Sequence, residues 1–329
     1  MMNNTLKNHY NFQPGTNVTG KWHQNRYTLI KKLGTGANGI VYLAEHNGGH
    51  VALKMSDSTV SVTSEVNVLK AFAKVQGSSL GPSLLDIDDW VTLQEKIPFY
   101  VMEYINGPDL LSFIKHKGFS WTGVLMVQLL SDLHRLHQAG WVFGDLKPEN
   151  LIVSGPPTKI RCIDVGGTTI QGRAIKEFTE FFDRGYWGLG SRKAEPTYDL
   201  FATAMIMINL AYPQRFSKNG ESGLVQLQSA IKKKPELAKF EHILLKALNG
   251  NYVTAIEMRD DLVVILTKQQ KSFRQRKVNR ATHTSTKNVQ VRSSRHKQRK
   301  LKRTFIFLET LMIIAIVSTL YFIYVYTQL

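Results

Sequence analysis

The chain predicts a two-lobed α+β domain, with a β-rich first half and a helical second half, followed by one membrane-spanning helix. Three observations predict it. A glycine-rich turn joins two β-rich runs around residue 36, helical periodicity dominates beyond residue 110, and a nearly unbroken apolar run fills residues 305–326.

Length and composition bound the rest. With 329 residues there is room for two lobes of ordinary domain size and an appendage. A hydrophobic fraction of 43% supports a sizeable core and excludes general disorder. Cys162 is the single cysteine, which excludes an intrachain disulfide framework and a cysteine-built metal site. Its place in the apolar-rich run 159–163 makes it a buried strand residue. The net charge of +17 is unevenly placed. Residues 268–303 hold 14 Lys or Arg and no Asp or Glu, whereas residues 1–267 are close to balanced at 28 basic and 24 acidic. The high isoelectric point therefore describes a linker rather than the domain. Residues 1–30 lack the apolar core of a secretory signal, so a cytoplasmic N-terminus is expected and the sequons at Asn3 and Asn17 are accidental.

The first lobe is expected over residues 26–105, after a leader at 1–25. Leu33–Val41 reads GxGxxGxV, with Gly34, Gly36 and Gly39 as its glycines. A dinucleotide-binding loop of similar spelling opens into a helix. Here the loop runs into the β-rich Ile40–Ala44 and then the turn Asn47-Gly48-Gly49. The glycines thus lie in a hairpin whose backbone amides can fold over a polyphosphate. The returning strand, His50–Lys54, sets Lys54 fifteen residues after Gly39 and one strand over, where an amine can neutralise phosphate oxygens. Such a lysine needs a carboxylate to orient it. Val62, Val66, Leu69 and Ala73 form a helical stripe over residues 61–74, and Glu65 beside that stripe is the candidate. Phe99–Ile105 reads as a strand leaving the lobe, and Asn106-Gly107-Pro108 turns the chain.

The second lobe is expected over residues 106–267. Leu125, Leu129, Leu133 and Leu136 recur near a 3.6 period, after Ser120 as the expected cap and before Gly140 as the stop. The next stretch, Trp141–Asn150, reads WVFGDLKPEN and resembles the D-x-K-P-x-N catalytic loop of the protein kinase family. The glycine loop and the Val51-Ala52-Leu53-Lys54 strand precede it in that family's order. The resemblance covers roughly residues 26–267 and implies a bilobal protein-kinase-like fold that binds ATP and Mg²⁺. It implies a nucleotide site built from Gly34, Gly36, Gly39, Val41, Lys54 and Glu65, with the backbone of Glu103–Ile105 at the adenine edge and Asp109 near the ribose. Asp145 would receive the hydrogen bond of a substrate hydroxyl, Lys147 would neutralise the moving phosphoryl, and Asn150 would offer an oxygen to a metal. Leu151–Val153 and Lys159–Ile163 predict a hairpin that returns Asp164 beside Asn150; two oxygens suit a magnesium ion that keeps several waters. Asp164-Val165-Gly166 corresponds to the family's DFG, and Asp199 resembles the residue that opens a buried helix and braces the catalytic loop.

Two departures stand out. Phe143-Gly144-Asp145 replaces HRD, so the arginine that clasps a phosphorylated activation loop is missing. Ala194-Glu195-Pro196 has the letters of the APE stretch, but Glu195 lies only four residues before Asp199, and Arg184–Ser191 is the other register for that region. Thr168, Thr169 and Thr179 are candidate phosphorylation sites. Three readings follow: an active serine/threonine kinase acting on cytoplasmic proteins, a pseudokinase that only binds ATP or scaffolds, and a small-molecule phosphotransferase. The retained Lys54, Asp145, Lys147, Asn150 and Asp164 favour the first.

The C-terminal part reads separately. Within Phe305–Tyr326 only Glu309, Thr310, Ser318 and Thr319 interrupt the apolar run, and a helix of that length spans about 33 Å against roughly 30 Å of hydrocarbon. Aromatic residues lie near both ends, and Lys297, Arg299, Lys300, Lys302 and Arg303 hold the preceding side in the cytoplasm, leaving 327–329 outside. The cell membrane is the expected location. The layout resembles the membrane-anchored kinases of spore-forming bacteria, which implies a link to spore formation. The basic linker, 268–304, predicts attraction to anionic lipid, with DNA as the other polyanion it suits. The helix either localises the domain or pairs two copies as a homodimer.

Overall fold

Alternating β-branched and aromatic residues build the first lobe as a six-stranded antiparallel sheet. Its strands are β1 (Asn17–Thr19), β2 (Arg26–Gly36), β3 (Gly39–His46), β4 (Gly49–Met55), β5 (Leu84–Val91) and β6 (Lys96–Glu103), in the order β1-β2-β3-β4-β6-β5. The computed structural model describes residues 10–36, 39–74, 80–220 and 222–268. The chain divides after Gln269, within the basic stretch 268–303. Residues 269–303 of that stretch and the apolar run 305–326 lie outside the described residues. Among the described residues no helix is long and apolar enough to cross a membrane.

The sheet uses its two faces differently, as period-two alternation requires. Tyr27, Leu29, Tyr42, Leu53, Met55, Phe99 and Val101 pack together on one face. Ala52, Lys54, Tyr100 and Met102 fall on the other, with Ala52 opposite Met102 and Lys54 opposite Tyr100. Helix α1 (Thr59–Lys74) covers this second face with Val62, Glu65, Val66, Val68, Leu69 and Phe72 buried.

Part of the leader belongs to the sheet. Strand β1 pairs with β2, and Gly20 bridges Trp90 at the far edge, so the first and last strands approach one another. Two aspartates of β5 hold the intervening turn: Asp88 accepts the amides of Trp22 and His23, while Asp86 accepts Asn25 Nδ2 and the Tyr27 hydroxyl. Tyr10 is buried, and the Tyr42 hydroxyl donates to its carbonyl while accepting the Phe12 amide at 3.0 Å. Residues 10–25 therefore pack against the sheet of the first lobe.

The second lobe is helical: α2 (Leu110–Lys117), α3 (Ser120–Gln138), α4 (Pro196–Ala211), α5 (Gly223–Lys233), α6 (Pro235–Ala238), α7 (Glu241–Leu248) and a last helix, α8, over 255–268. Helix α4 is buried at every residue from Tyr198 to Ala211, as a helix apolar all round should be. Ser120 is not the cap expected of it. It is the first residue of α3, the N-cap position falls on Phe119, and no side chain caps that end. Between α3 and α4 lie β7 (Trp141–Val142), β8 (Leu151–Ser154), β9 (Lys159–Cys162) and β10 (Thr169–Ile170), paired β8 with β9 and β7 with β10. Cys162 is buried in β9, as expected.

Deleting residues 1–25 from the full-length protein should remove buried Tyr10 and Val18 and leave the sheet edge open. Each buried side chain of this size contributes about 1.5–3 kcal/mol, so the thermal midpoint should fall by at least about 5 °C. An unchanged midpoint would mean that the leader is dispensable.

Candidate active site

The face of the sheet that carries Lys54 overlooks a cavity of about 400 Å³. Gly34, Gly36, Gly39 and Val41 line it from the hairpin, Glu103 and Ile105 from the end of β6, and Asn150 and Asp164 from the second lobe. The hairpin pairs down to Gly36 opposite Gly39. Gly39 has φ +138°, and a Cβ there would run into the Met55 carbonyl, so only glycine fits. Gly34 and Gly36 have open space where a side chain would stand. That side-chain-free roof is room that a polyphosphate can use.

Lys54 Nζ donates to Glu65 Oε2 at 2.6 Å, and both side chains are almost wholly buried. The Tyr100 hydroxyl donates to the same oxygen, also at 2.6 Å. Glu65 Oε1 is buried without a hydrogen-bond partner among the described residues. A Cβ on Gly166 would stand 3.5 Å from it and 3.3 Å from Asp164 Oδ1, so two carboxylates flank that glycine.

Asp145 lies on the loop after β7, 7% exposed. Lys147 Nζ donates to its Oδ2 at 2.5 Å, and Asn150 Nδ2 reaches its carbonyl at 3.1 Å and Oδ2 at 3.2 Å. Burial raises the Asp145 carboxyl above the ordinary range; Lys147 opposes the rise, and the charges of Asp164 and Glu177 add to it. Asn150 spends its amide nitrogen on Asp145, which leaves its oxygen as the end available to a cation. The β8–β9 hairpin brings Asp164 back beside it, with the Ile163 amide donating to the Asn150 carbonyl at 3.0 Å. Asp164 is exposed, and among the described residues its Oδ1 accepts only the Gly166 amide, at 2.9 Å.

Asp199, fully buried at the start of α4, holds this loop from below. It accepts the amides of Phe143 at 2.8 Å and Gly144 at 2.9 Å, and His137 Nε2 lies 2.8 Å from it. Gly144, where the family has arginine, sits at φ +83° with its Cβ position 2.8 Å from the Gly167 carbonyl. The backbone here takes a path that a side chain would strain.

At the end of β6, the Glu103 carboxylate grips Arg161 at 2.8 Å and the Ser83 amide at 3.1 Å. The arginine holds that carboxyl below its usual range. Two residues on, the Ile105 amide has no partner among the described residues, a free donor on the cavity wall. Asp109 follows the cavity-lining Gly107 and bridges Ile152, which also lines the cavity. Both its carboxylate oxygens are spent on Ser112, at the N-cap of α2, and it does not line the cavity. In this structure its carboxylate caps α2.

Further residues escaped the sequence reading. Asp183, fully buried, accepts Arg192, the Tyr198 hydroxyl and the amides of Gly185 and Tyr186. It pins the segment between Asp164 and α4. Thr168 and Thr169 are buried, which removes them as accessible modification sites in this conformation. Thr179 is half-buried, its hydroxyl 3.5 Å from Lys147 Nζ. Of the two APE registers, Glu195 is half-buried and pairs with Lys193 and Arg184, while Arg184 itself reaches the Ser191 carbonyl and Thr197. Both stretches thus meet at one arginine.

The protein kinase domain family model matches residues 27–275. The serine/threonine-protein kinase YabT of Bacillus subtilis is 50% identical, over 99% of this chain and 98% of its own length. The cell division control protein 2 homolog 2 of Trypanosoma brucei is 26% identical over 62% of each chain. The serine/threonine-protein kinase cek1 of Schizosaccharomyces pombe is 31% identical over 40% of this chain, and the match spans 10% of its own length.

Proposed function

Because this chain belongs to the protein kinase family, we propose that it is an active serine/threonine kinase, which transfers the γ-phosphoryl of ATP to hydroxyls of cytoplasmic proteins. The observation that carries the reading is the convergence of Lys54, paired with Glu65, and of Asn150 and Asp164 on one cavity, with Asp145 hydrogen-bonded to Asn150.

In this reading the adenine meets the free Ile105 amide and the Glu103 carbonyl, and the polyphosphate lies under the glycine hairpin against Lys54. Asp145 receives the hydrogen bond of the substrate hydroxyl and aims its oxygen at the γ-phosphorus. As the new O–P bond forms and the bond to ADP breaks, the hydroxyl proton passes to Asp145. Lys147 offsets the negative charge of the moving group. Magnesium, when bound with ATP, would supply further neutralising charge on the phosphate oxygens. Asn150 and Asp164 fit it, one through an amide oxygen left over from its bond to Asp145 and one through an exposed carboxylate. The arginine absent at Gly144 takes no part in these steps, so its loss argues against a phosphate-operated switch and not against turnover.

The remaining proposals rest on the sequence alone. The apolar run 305–326 supports a membrane anchor, which would also serve pairing of two copies, and the layout supports a role in spore formation. The basic stretch 268–303 supports attraction to anionic lipid first and DNA second, since Phe273 is its only aromatic.

Transfer from labelled ATP should fall at least about 100-fold in both Asp145→Ala and Lys54→Ala. Label that persists in both would assign the activity to a contaminant. Asp145 must be ionised to act and its carboxyl is raised, so kcat/KM should drop with falling pH at a point above the ordinary carboxylate range. Because Lys147 pulls that carboxyl down, Lys147→Met should move the acid limb to still higher pH. A limb in the ordinary carboxylate range, or one that moves down in the variant, contradicts the assignment. DNA retardation should weaken steeply between 50 and 200 mM salt, on the order of tenfold or more; unshifted DNA at low salt would leave lipid alone.

A further inference from the structure

Lysine–carboxylate pairing between a strand and a helix leaves the helix free to swing unless something else fixes the carboxylate. Here the second restraint comes from the sheet. Tyr100 stands directly opposite Lys54 in the β4–β6 register, is 2% exposed, and donates its hydroxyl to the same Glu65 oxygen that Lys54 meets. Two adjacent strands therefore grip one carboxylate of α1, each at 2.6 Å. With Oε1 unpartnered among the described residues, the position of Glu65 depends on these two donors alone. Burial and the Glu65 charge push the phenol well up, so it stays a donor throughout the working range of pH.

We propose that Tyr100 is a positioning residue: it fixes Glu65, and through it helix α1 and Lys54, in the arrangement that receives the nucleotide phosphates. The proposal rests on the kinase reading above. Its consequence is a lysine–carboxylate pair closed by the domain itself, without a phosphorylated loop or a partner pressing on α1.

Tyr100→Phe keeps the ring in its place in the core and deletes only the donor. Tyr100→Met, also without a donor, serves as the second variant if the first does not fold. In the full-length protein, either should lower kcat/KM for ATP about tenfold while KM for the protein substrate stays within twofold, and Tyr100→Phe should keep the thermal midpoint within a few degrees. In a Glu65→Gln background the same change should cost less than twofold, because there is no longer a carboxylate to position. Wild-type kcat/KM for ATP in both variants, or losses that simply add to that of Glu65→Gln, would overturn the proposal. Asp145→Ala is the control that separates the two levels. If activity survives it, the kinase reading fails and takes this inference with it; if activity is lost while Tyr100→Phe remains wild-type, only the role of Tyr100 fails.

Discussion

An ammonium and a carboxylate, buried 2.6 Å apart between β4 and α1, set the constraint that the first lobe is built around. Neither charge is tolerable alone in that position: removing one partner of a buried pair typically costs about 3–5 kcal/mol, far more than the intact pair contributes to stability. Helix and sheet must therefore meet where Lys54 and Glu65 meet. The glycine hairpin follows from the same geometry, because β3 pairs with β4 and sets Val41 opposite Lys54. The cavity is thus roofed by backbone and carries a fixed positive group at its wall.

The second lobe uses a related device. Asp199 is fully buried and spends its oxygens on two loop amides and His137, which fixes the backbone carrying Asp145 to the central helix α4. Each lobe holds its part of the site through a buried carboxylate with donors converging on it. Gly144 belongs to this arrangement: its left-handed φ and its close approach to the Gly167 carbonyl let the loop turn onto Asp199. The lost arginine and the braced loop are two aspects of one backbone path.

What could be read from the sequence was local. The glycine hairpin, Lys54 on the returning strand and the β8–β9 hairpin depend on spacings of a few residues, and such spacings constrain geometry directly; the Asp145–Asn150 loop was legible through its resemblance to the kinase family. Glu65 was legible because helical period places it beside an apolar stripe. Strand β1 was not, since three residues carry no alternation, and its docking joins Gly20 to a tryptophan seventy residues away. Tyr100 was missed for another reason: within Phe99–Ile105 a tyrosine looks like any core aromatic, and only the fold shows where its hydroxyl points. The capping of α2 by Asp109 was not read either, because a polar residue after a turn suits a ligand contact and a helix cap equally well, and the bond to Ser112 is visible only in the fold. Asp183 and Arg161 act through partners brought together by the chain's path, which no spacing announces.

The most direct measurement is a crystal structure of the full-length protein with a non-hydrolysable ATP analogue and magnesium. The account predicts the triphosphate under the hairpin with Lys54 still bonded to Glu65, and the metal held by Asn150 and Asp164. A nucleotide bound elsewhere, or Glu65 turned away to solvent with Lys54 unpaired in the complex, would contradict it.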